Sequence, residues 1–517
     1  MQHNGWDHAL KVTAGGTGLV GYAGAVLLRK AADQAGLTGL LSGALRKKGT
    51  SPAFDRGAVL VSLAAAIALG AASMSDIALL AHLAPVLGDA PSGPTVRRAL
   101  DLAGTAAMLD RIARARAKAR THVWDLIEKT PAGFPWLVIA GKTLTGWLII
   151  DMDATLVTAS SDKEGAAPTW KKGYGFHPLG AWCASTRECL AMLLRPGNAG
   201  SNTFTDHKEV LTAAIRQVPA RFRRKVLVRV DGAGASHELM EHLLSLSSAR
   251  RIVLFTSGWM ITAADEDAIR QAPAAAWKPG TCQDGTIEDD KEVAEITGLM
   301  SRAGNWPDGL RWIARRVKPS RRHLRNLTDY EKKTGWKYSI TCTNIPDAGI
   351  AGVPGSHHPQ YIDVVHREHA VVETSGVRTA KAMGLRNLPS KTWQGKLRLG
   401  HRGEHRRRPG RLDPPPQLRR RRATGRRPGH APLPDLAHPR PPRRPRPAAN
   451  PEDQPELAME GRVPRLLATA LHSASTSLTG TNHPVDARGG PVRPGRSRCS
   501  PGQAGQPEHP GPKEKRT

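Results

Sequence analysis

Trp147-Leu148-Ile149-Ile150-Asp151-Met152-Asp153-Ala154-Thr155-Leu156-Val157 decides how the chain is read. Apolar and β-branched residues run almost unbroken, which predicts one buried strand with two carboxylates at its exit. Side chains alternate faces along a strand, so Asp151 and Asp153 point the same way. Unpaired carboxylates on one face repel each other and are costly to desolvate. A divalent cation removes that cost by giving both a partner. The alternative is a strand that simply ends here, with its aspartates solvated.

Working outward, Lys225-Val226-Leu227-Val228-Arg229-Val230-Asp231-Gly232-Ala233-Gly234 repeats the theme. A buried β-branched strand ends in an aspartate, and glycines lead into a helix over 236–246. Acids at the carboxyl ends of neighbouring strands are where α/β sheets place their chemistry. Between the two strands the sequence predicts a hairpin (177–185 and 188–194), a loop, and a helix over 205–218 capped by Thr205 or Asp206. A strand over 252–257 follows. Next come a charged helix near 289–300, strands over 310–317 and 337–343, and a helix carrying Glu368, Glu373, Arg378 and Lys381.

Residues 1 to about 125 are Ala/Leu-rich and helical in pattern. An amphipathic stretch over 73–83, a turn, and a helix opening at Ser92 or Thr95 with Arg97 and Arg98 form a helix-turn-helix-like order. A plain helical hairpin with a solvated Arg pair is the competing reading. Arg111, Arg114, Arg116, Lys118 and Arg120 predict a second, solvated basic face. No apolar run is long enough to span a membrane, and cytoplasmic is the expectation. The five cysteines have no metal-type spacing, so neither a zinc site nor a disulfide framework is supported. The net charge of +30 points to a polyanion, most simply nucleic acid.

Strand-Asp, hairpin, helix, strand-Asp, helix, strand, insertion, helix-Glu is the RNase H-like order. With Asp151-Met152-Asp153-Ala154-Thr155, Val228-Arg229-Val230-Asp231-Gly232 and His366-Arg367-Glu368-His369-Ala370-Val371-Val372-Glu373, the chain resembles a DDE transposase of a bacterial insertion sequence. The type is the one with a β-strand insertion before the catalytic Glu. The resemblance implies an α/β fold: a mixed sheet flanked by helices. Its expected segments are a helical DNA-binding region (1–125), a core in two parts (140–258 and 351–394) and a β-rich insertion (259–350). In related families the third motif carries Tyr and Arg where His366 and His369 stand here.

The resemblance further implies DNA cleavage and strand transfer by in-line displacement at phosphorus. Two Mg²⁺ ions about 3.5–4 Å apart, with Mn²⁺ as a substitute, clamp the attacking and leaving oxygens. Asp153, Asp231 and Glu373 are the expected catalytic ligands, Asp151 is the substitute on the first strand, and Glu368 competes with Glu373. Arg97, Arg98, Arg229, Arg367, His369, Arg378 and Lys381 are the expected DNA contacts. The expected partners are transposon ends and target DNA, bound by a homodimer without a membrane. Trp259, Trp277, Trp306, Trp312 and Trp336 in the insertion are either core residues or platforms for a flipped base. The alternatives are a non-catalytic DNA-binding protein, a nuclease that does not join strands, and an inactive remnant.

After Gln394 the composition changes: residues 395–517 hold 22 of the 40 prolines and a net charge of +16. Such a tail reads as a disordered nucleic-acid-binding arm. A second reading fits the break better. Back-translation of 398–413 with suitably chosen GC-rich codons, read one base later, can give an amphipathic helix, as a frameshift near codon 395 would.

Overall fold

The computed structural model describes residues 22, 24–159, 162–301 and 306–388. The segment 395–517, and with it the disordered-arm and frameshift readings, lies outside the described residues.

The N-terminal region is helical because its apolar residues recur at helical spacing and its helix starts are capped. Helices α1 (Gly24–Gln34), α2 (Leu37–Ala44), α3 (Arg56–Ala68), α4 (Gly93–Ala103) and α5 (Ala106–Glu128) follow in order. Asp55, Ser92 and Thr105 each accept a backbone N–H at the start of α3, α4 and α5. The amphipathic stretch becomes a tight 3-10 helix, Met74–Leu83, opened by a Ser73/Asp76 capping box. Val59, Leu63, Ile77, Leu80, Val96 and Leu100 close a core of their own. Arg97 and Arg98 stay exposed on α4. No helix among the described residues is long and apolar enough to cross a membrane.

The expected solvated face of α5 is not one surface. Arg114 is exposed beside Asp110, but Arg116 donates to the Cys189 carbonyl at 3.1 Å and Arg120 is buried. Burial pulls Arg116 down to about 10. Arg120 Nε donates to Glu188 Oε2 at 2.7 Å, and its Nη1 donates to Gln217 Oε1 at 2.7 Å. Glu188 also accepts from Trp124 Nε1 at 2.8 Å. This network, with Arg120 buried at its centre, holds α5 against the hairpin of the core.

Nine strands among the described residues form one sheet: β1 (Leu148–Ala154), β2 (Leu179–Cys183), β3 (Cys189–Leu193), β4 (Lys225–Asp231), β5 (Ile252–Met260), β6 (Lys278–Thr281), β7 (Ile287–Glu295), β8 (Arg311–Val317) and β9 (Lys337–Thr343). Their order is β6-β7-β8-β9-β5-β4-β1-β2-β3. β4 runs parallel to β1 and β5, and every other pairing is antiparallel. The part β3-β2-β1-β4-β5 is the RNase H-like arrangement. The insertion does not form a separate body: β9 pairs with β5 and extends the same sheet.

Both faces of the central strands are covered, which is why they read as continuous apolar runs. Leu148, Ile150, Met152, Val226, Val228 and Val230 pack under α6 (Phe204–Gln217) and α7 (His237–Ser245). Trp147, Ile149 and Leu227 pack under α8 (Pro359–Arg367) through Ile362, Val364 and Val365. By alternation, Asp151, Asp153, Arg229 and Asp231 all belong to the α8 face.

Two expectations fail here. Residues 289–295 of the segment 289–300 belong to strand β7, and only Thr297–Leu299 forms a short 3-10 turn, so no charged helix spans it. Its Glu and Lys residues favour helix by propensity, but Glu292 lies opposite Arg316 on β8 and pairs with it, and Glu295 pairs with Arg311 at 2.7 Å. Cross-strand pairing overrides propensity. The helix expected from Thr205 starts one residue earlier, with Thr203 at its cap.

The insertion tryptophans pack against one another and against Arg316. Trp259 stacks on Trp306 at 5.4 Å with Trp312 edge-on to both, and Arg316 sits over Trp277 and Trp336.

Glu188→Ala strips the partner from a buried guanidinium and an indole N–H. It is expected to destabilise the fold by about 2–4 kcal/mol in urea unfolding. A change below about 0.5 kcal/mol, the range of ordinary surface substitutions, would show that this network does not hold α5.

Candidate active site

The carboxyl ends of β1 and β4 and the helix after α8 enclose an open cavity of about 1020 Å³. Asp153, Asp231 and Glu373 line it, together with Arg378 and Lys381.

Each acid is placed by its local sequence. Asp153 lies one pleat beyond Asp151 and opposite Gly180 on β2. A Cβ at Gly180 would lie 2.3 Å from the Trp182 ring. That indole also meets Gly376, where a Cβ would lie 3.1 Å away, and it clusters with Val372 and Val377. Small residues at 180 and 376 therefore let Trp182 stand under the helix that carries Glu373. Asp231 ends β4, and the Gly234 N–H donates to its Oδ1 at 3.1 Å. A Cβ at Gly232 would lie 2.6 Å from the Gly258 carbonyl, so the turn closes only with glycine. Beyond α8 the chain continues through a 3-10 turn (Glu368–Ala370) into a wide π-type segment, Val372–Val377, which contains Glu373. Such widened turns re-aim side chains and recur at functional sites.

The three acids feel one another. Asp153 is pushed up to about 6, first by burial and further by the charges of Asp231 and Glu373, against the opposing pull of His369. Lys381 is lowered by burial, with Asp153 opposing the shift. Directly beneath lies a second, fully buried charged group. Arg229 Nε donates to Asp151 Oδ1 at 2.6 Å and Nη2 to Oδ2 at 2.8 Å, while Nη1 donates to the Val365 carbonyl at 3.1 Å. His369 Nδ1 lies 3.0 Å from Asp151 Oδ1. Burial would raise the Asp151 carboxyl, but Arg229 and His369 outweigh it and hold it below the usual carboxylate value.

The family model for the transposase DDE domain group 1 matches residues 3–327. The chain belongs to this transposase family. The match includes Asp153 and Asp231 and stops before Glu373. Among solved structures, the chain is similar to a piggyBac transposase in a synaptic complex with hairpin DNA. The identity is 14% and the TM-score 0.29, and the similarity covers 72% of this chain and 64% of that one. The chain thus spans less than two thirds of that transposase. No curated protein matches it.

In this transposase-family chain the expected site residues separate into two layers. Asp153, Asp231, Glu373, Arg378 and Lys381 share the cavity. Asp151 does not reach it as a spare metal ligand, because the residue is 2% exposed and both its carboxylate oxygens are engaged. Arg229 and His369 are likewise buried against Asp151 and are withdrawn from the surface where DNA contacts were expected. The Arg367 guanidinium turns away, bonding Asp363 at 2.8 Å and the Thr281 carbonyl at 2.5 Å. Glu368 is outside the cavity lining; burial raises its carboxyl, with Arg229 and Arg367 opposing. His366 is pulled down to about 3 by burial and faces Thr256 Oγ1 at 3.3 Å.

The sequence reading missed His177 and His207, which line the cavity. Their Nδ1 atoms lie 3.1 Å and 3.0 Å from the carbonyls of Ala199 and Thr203. Burial lowers both below the ordinary histidine value. A neutral ring that donates from Nδ1 to a carbonyl keeps an acceptor at Nε2. His177 interrupts an otherwise apolar stretch, which was a legible signal, whereas His207 sits among Asp206, Lys208 and Glu209 and carried none. Trp170 and Lys171 also line the cavity, with the indole 71% exposed.

Among the described residues no three His, Cys, Asp or Glu side chains are grouped tightly enough to enclose one ion. The donors are nevertheless hard oxygens that repel one another across a common space. Mg²⁺ keeps several waters and takes only one or two protein carboxylates, so an open set of this kind fits it.

Replacing Arg229 by Met strands Asp151 in the core and is expected to cost about 3–5 kcal/mol in denaturant unfolding. The double variant Asp151→Leu/Arg229→Met should recover most of that loss. A double variant as unstable as the single one would show that the pair contributes more than mutual neutralisation.

Proposed function

We propose that this chain is a transposase that cuts DNA at the ends of an insertion sequence and joins the freed 3′-hydroxyl to target DNA, working as a homodimer on paired ends. One observation carries the reading: three carboxylates from β1, β4 and the helix after α8 meet in one open cavity that also presents Arg378 and Lys381. Asp153, Asp231 and Glu373 would hold Mg²⁺. When bound, the metal supplies charge stabilisation for in-line displacement at phosphorus and lowers the pKa of a bound water.

The chain's own groups do the rest. Arg378 and Lys381 lie where they can take phosphate oxygens and hold the scissile backbone against the acids. His177 and His207 offer neutral acceptors beside Asp231, suited to orienting a water or a sugar hydroxyl. Asp151, Arg229 and His369 touch no substrate; they fix the elements that carry the three acids.

The test is Mg²⁺-dependent cleavage of DNA carrying the element's own ends. Asp153→Asn, Asp231→Ala and Glu373→Gln are each expected to lower the rate by about 10³-fold, roughly 4 kcal/mol of lost charge stabilisation. Arg378→Ala should act mainly on KM, by about tenfold. A version with the frame restored beyond codon 395 separates a broken C-terminus from a wrong site. If neither version cuts, or if Asp231→Ala cuts as well as its parent, the assignment is refuted.

A further inference from the structure

A second open cleft, of about 860 Å³, is lined by Arg223, Arg224, Lys225, Arg250 and Arg251 with no carboxylate on its wall. It lies where β4 begins, whereas Asp231 lies where β4 ends. Seven residues of strand separate the two by roughly 20 Å at 3.3 Å per residue.

The cations are held on ordered backbone. Ser248 N–H donates to the Arg251 carbonyl at 2.8 Å and Arg251 N–H donates back at 3.1 Å, closing a tight turn. Ile252 N–H donates to the Arg224 carbonyl at 2.8 Å and joins that turn to the start of β4. Arg223 is pinned by bonds to the carbonyls of Val218 (2.7 Å) and Arg216 (3.2 Å). Arg224 and Arg250 are exposed. Like charges crowded on a concave surface repel, and a polyanion removes that repulsion.

The chemistry favours phosphate over other anions. Guanidinium forks match phosphate oxygens in bidentate geometry. The remaining lining residues are Ile215, Ala220, Ser248, Ala249 and Ile252, with no aromatic ring to stack an unpaired base. We propose that this cleft is a docking surface for the phosphate backbone of double-stranded DNA, engaging a stretch of duplex away from the one being cut. The inference rests on the reading of the chain as a DNA-joining enzyme and adds a second place where it grips DNA.

The experiment measures affinity of the full chain for a labelled duplex of arbitrary sequence across a salt series. The wild type is compared with Arg224→Ala/Arg250→Ala/Arg251→Ala and with the corresponding triple Arg→Lys variant. Each lost phosphate contact should reduce the slope of log K against log salt by about 0.9, so the Ala variant should lose roughly 2–3. Its affinity at low salt should fall at least tenfold, with most of it regained in the Lys variant. If the Ala variant fails to fold, Arg250→Glu alone serves, and it should lower the slope by about 1. An unchanged slope overturns the proposal, and so does polyglutamate competing as well as unlabelled duplex. The failures are separable. Duplex binding lost in the variants while the wild type does not cut keeps this surface and removes the catalytic reading. Asp231-dependent cutting with unchanged duplex binding does the reverse.

Discussion

The Asp151–Arg229 ion pair is the constraint on which the site depends. Removing two charges from water costs several kcal/mol per ion, and their attraction offsets this only where geometry is good and the remaining polar atoms are satisfied. Here the pair is bidentate, a third guanidinium nitrogen meets the Val365 carbonyl, and His369 approaches the carboxylate. Asp151 and Arg229 are also direct register partners on parallel strands. A slip of one strand by one residue would send its member of the pair to the opposite face, leaving both charges buried and unpaired. The pair therefore locks the register of β1 against β4 more sharply than an apolar contact of equal size.

The positions of the three cavity acids follow from that lock. Asp153 and Asp231 each lie two residues beyond a member of the pair, so they emerge on the same face at the strand ends. His369 brings in the third element, and Glu373 lies four residues further along it, about one turn away. Burial pushes Asp153 up to about 6 and the charges of Asp231 and Glu373 add to the rise, while His369, one layer down, opposes it. The cost of gathering acids is met by the fold rather than by the acids themselves.

Much of this was legible in the sequence because it is local. The apolar runs ending in Asp153 and Asp231, the hairpin of β2 and β3, and α7 after its glycine turn all follow from periodicity and turn chemistry. The shared face of Asp151 and Asp153 follows from strand alternation. What stayed hidden depends on partners distant in sequence. Arg229 is 78 residues from Asp151, and nothing near either one announces the pairing. The segment of β7 carries helix-favouring residues whose strand state is fixed by Arg311 and Arg316. The tryptophans of the insertion look the same in sequence whether they pack or stack on a ligand. His177 and His207 become site residues only once the loop after β3 and the start of α6 fold back over Asp231.

The distribution of charge along β4 carries the last step. The cavity sets Asp153, Asp231 and Glu373 against Lys171, Arg378 and Lys381, so it offers a distant polyanion no net positive charge. Arg378 and Lys381 act only at close range, because screening confines surface charges to about 8–10 Å at ordinary ionic strength. Longer-range capture has to come from cations elsewhere. The sheet provides them at the other end of the same strand: Lys225 opens β4 among four arginines, and Asp231 closes it among the acids. A rigid parallel strand with unlike charge at its two ends keeps attraction and chemistry apart at a fixed distance.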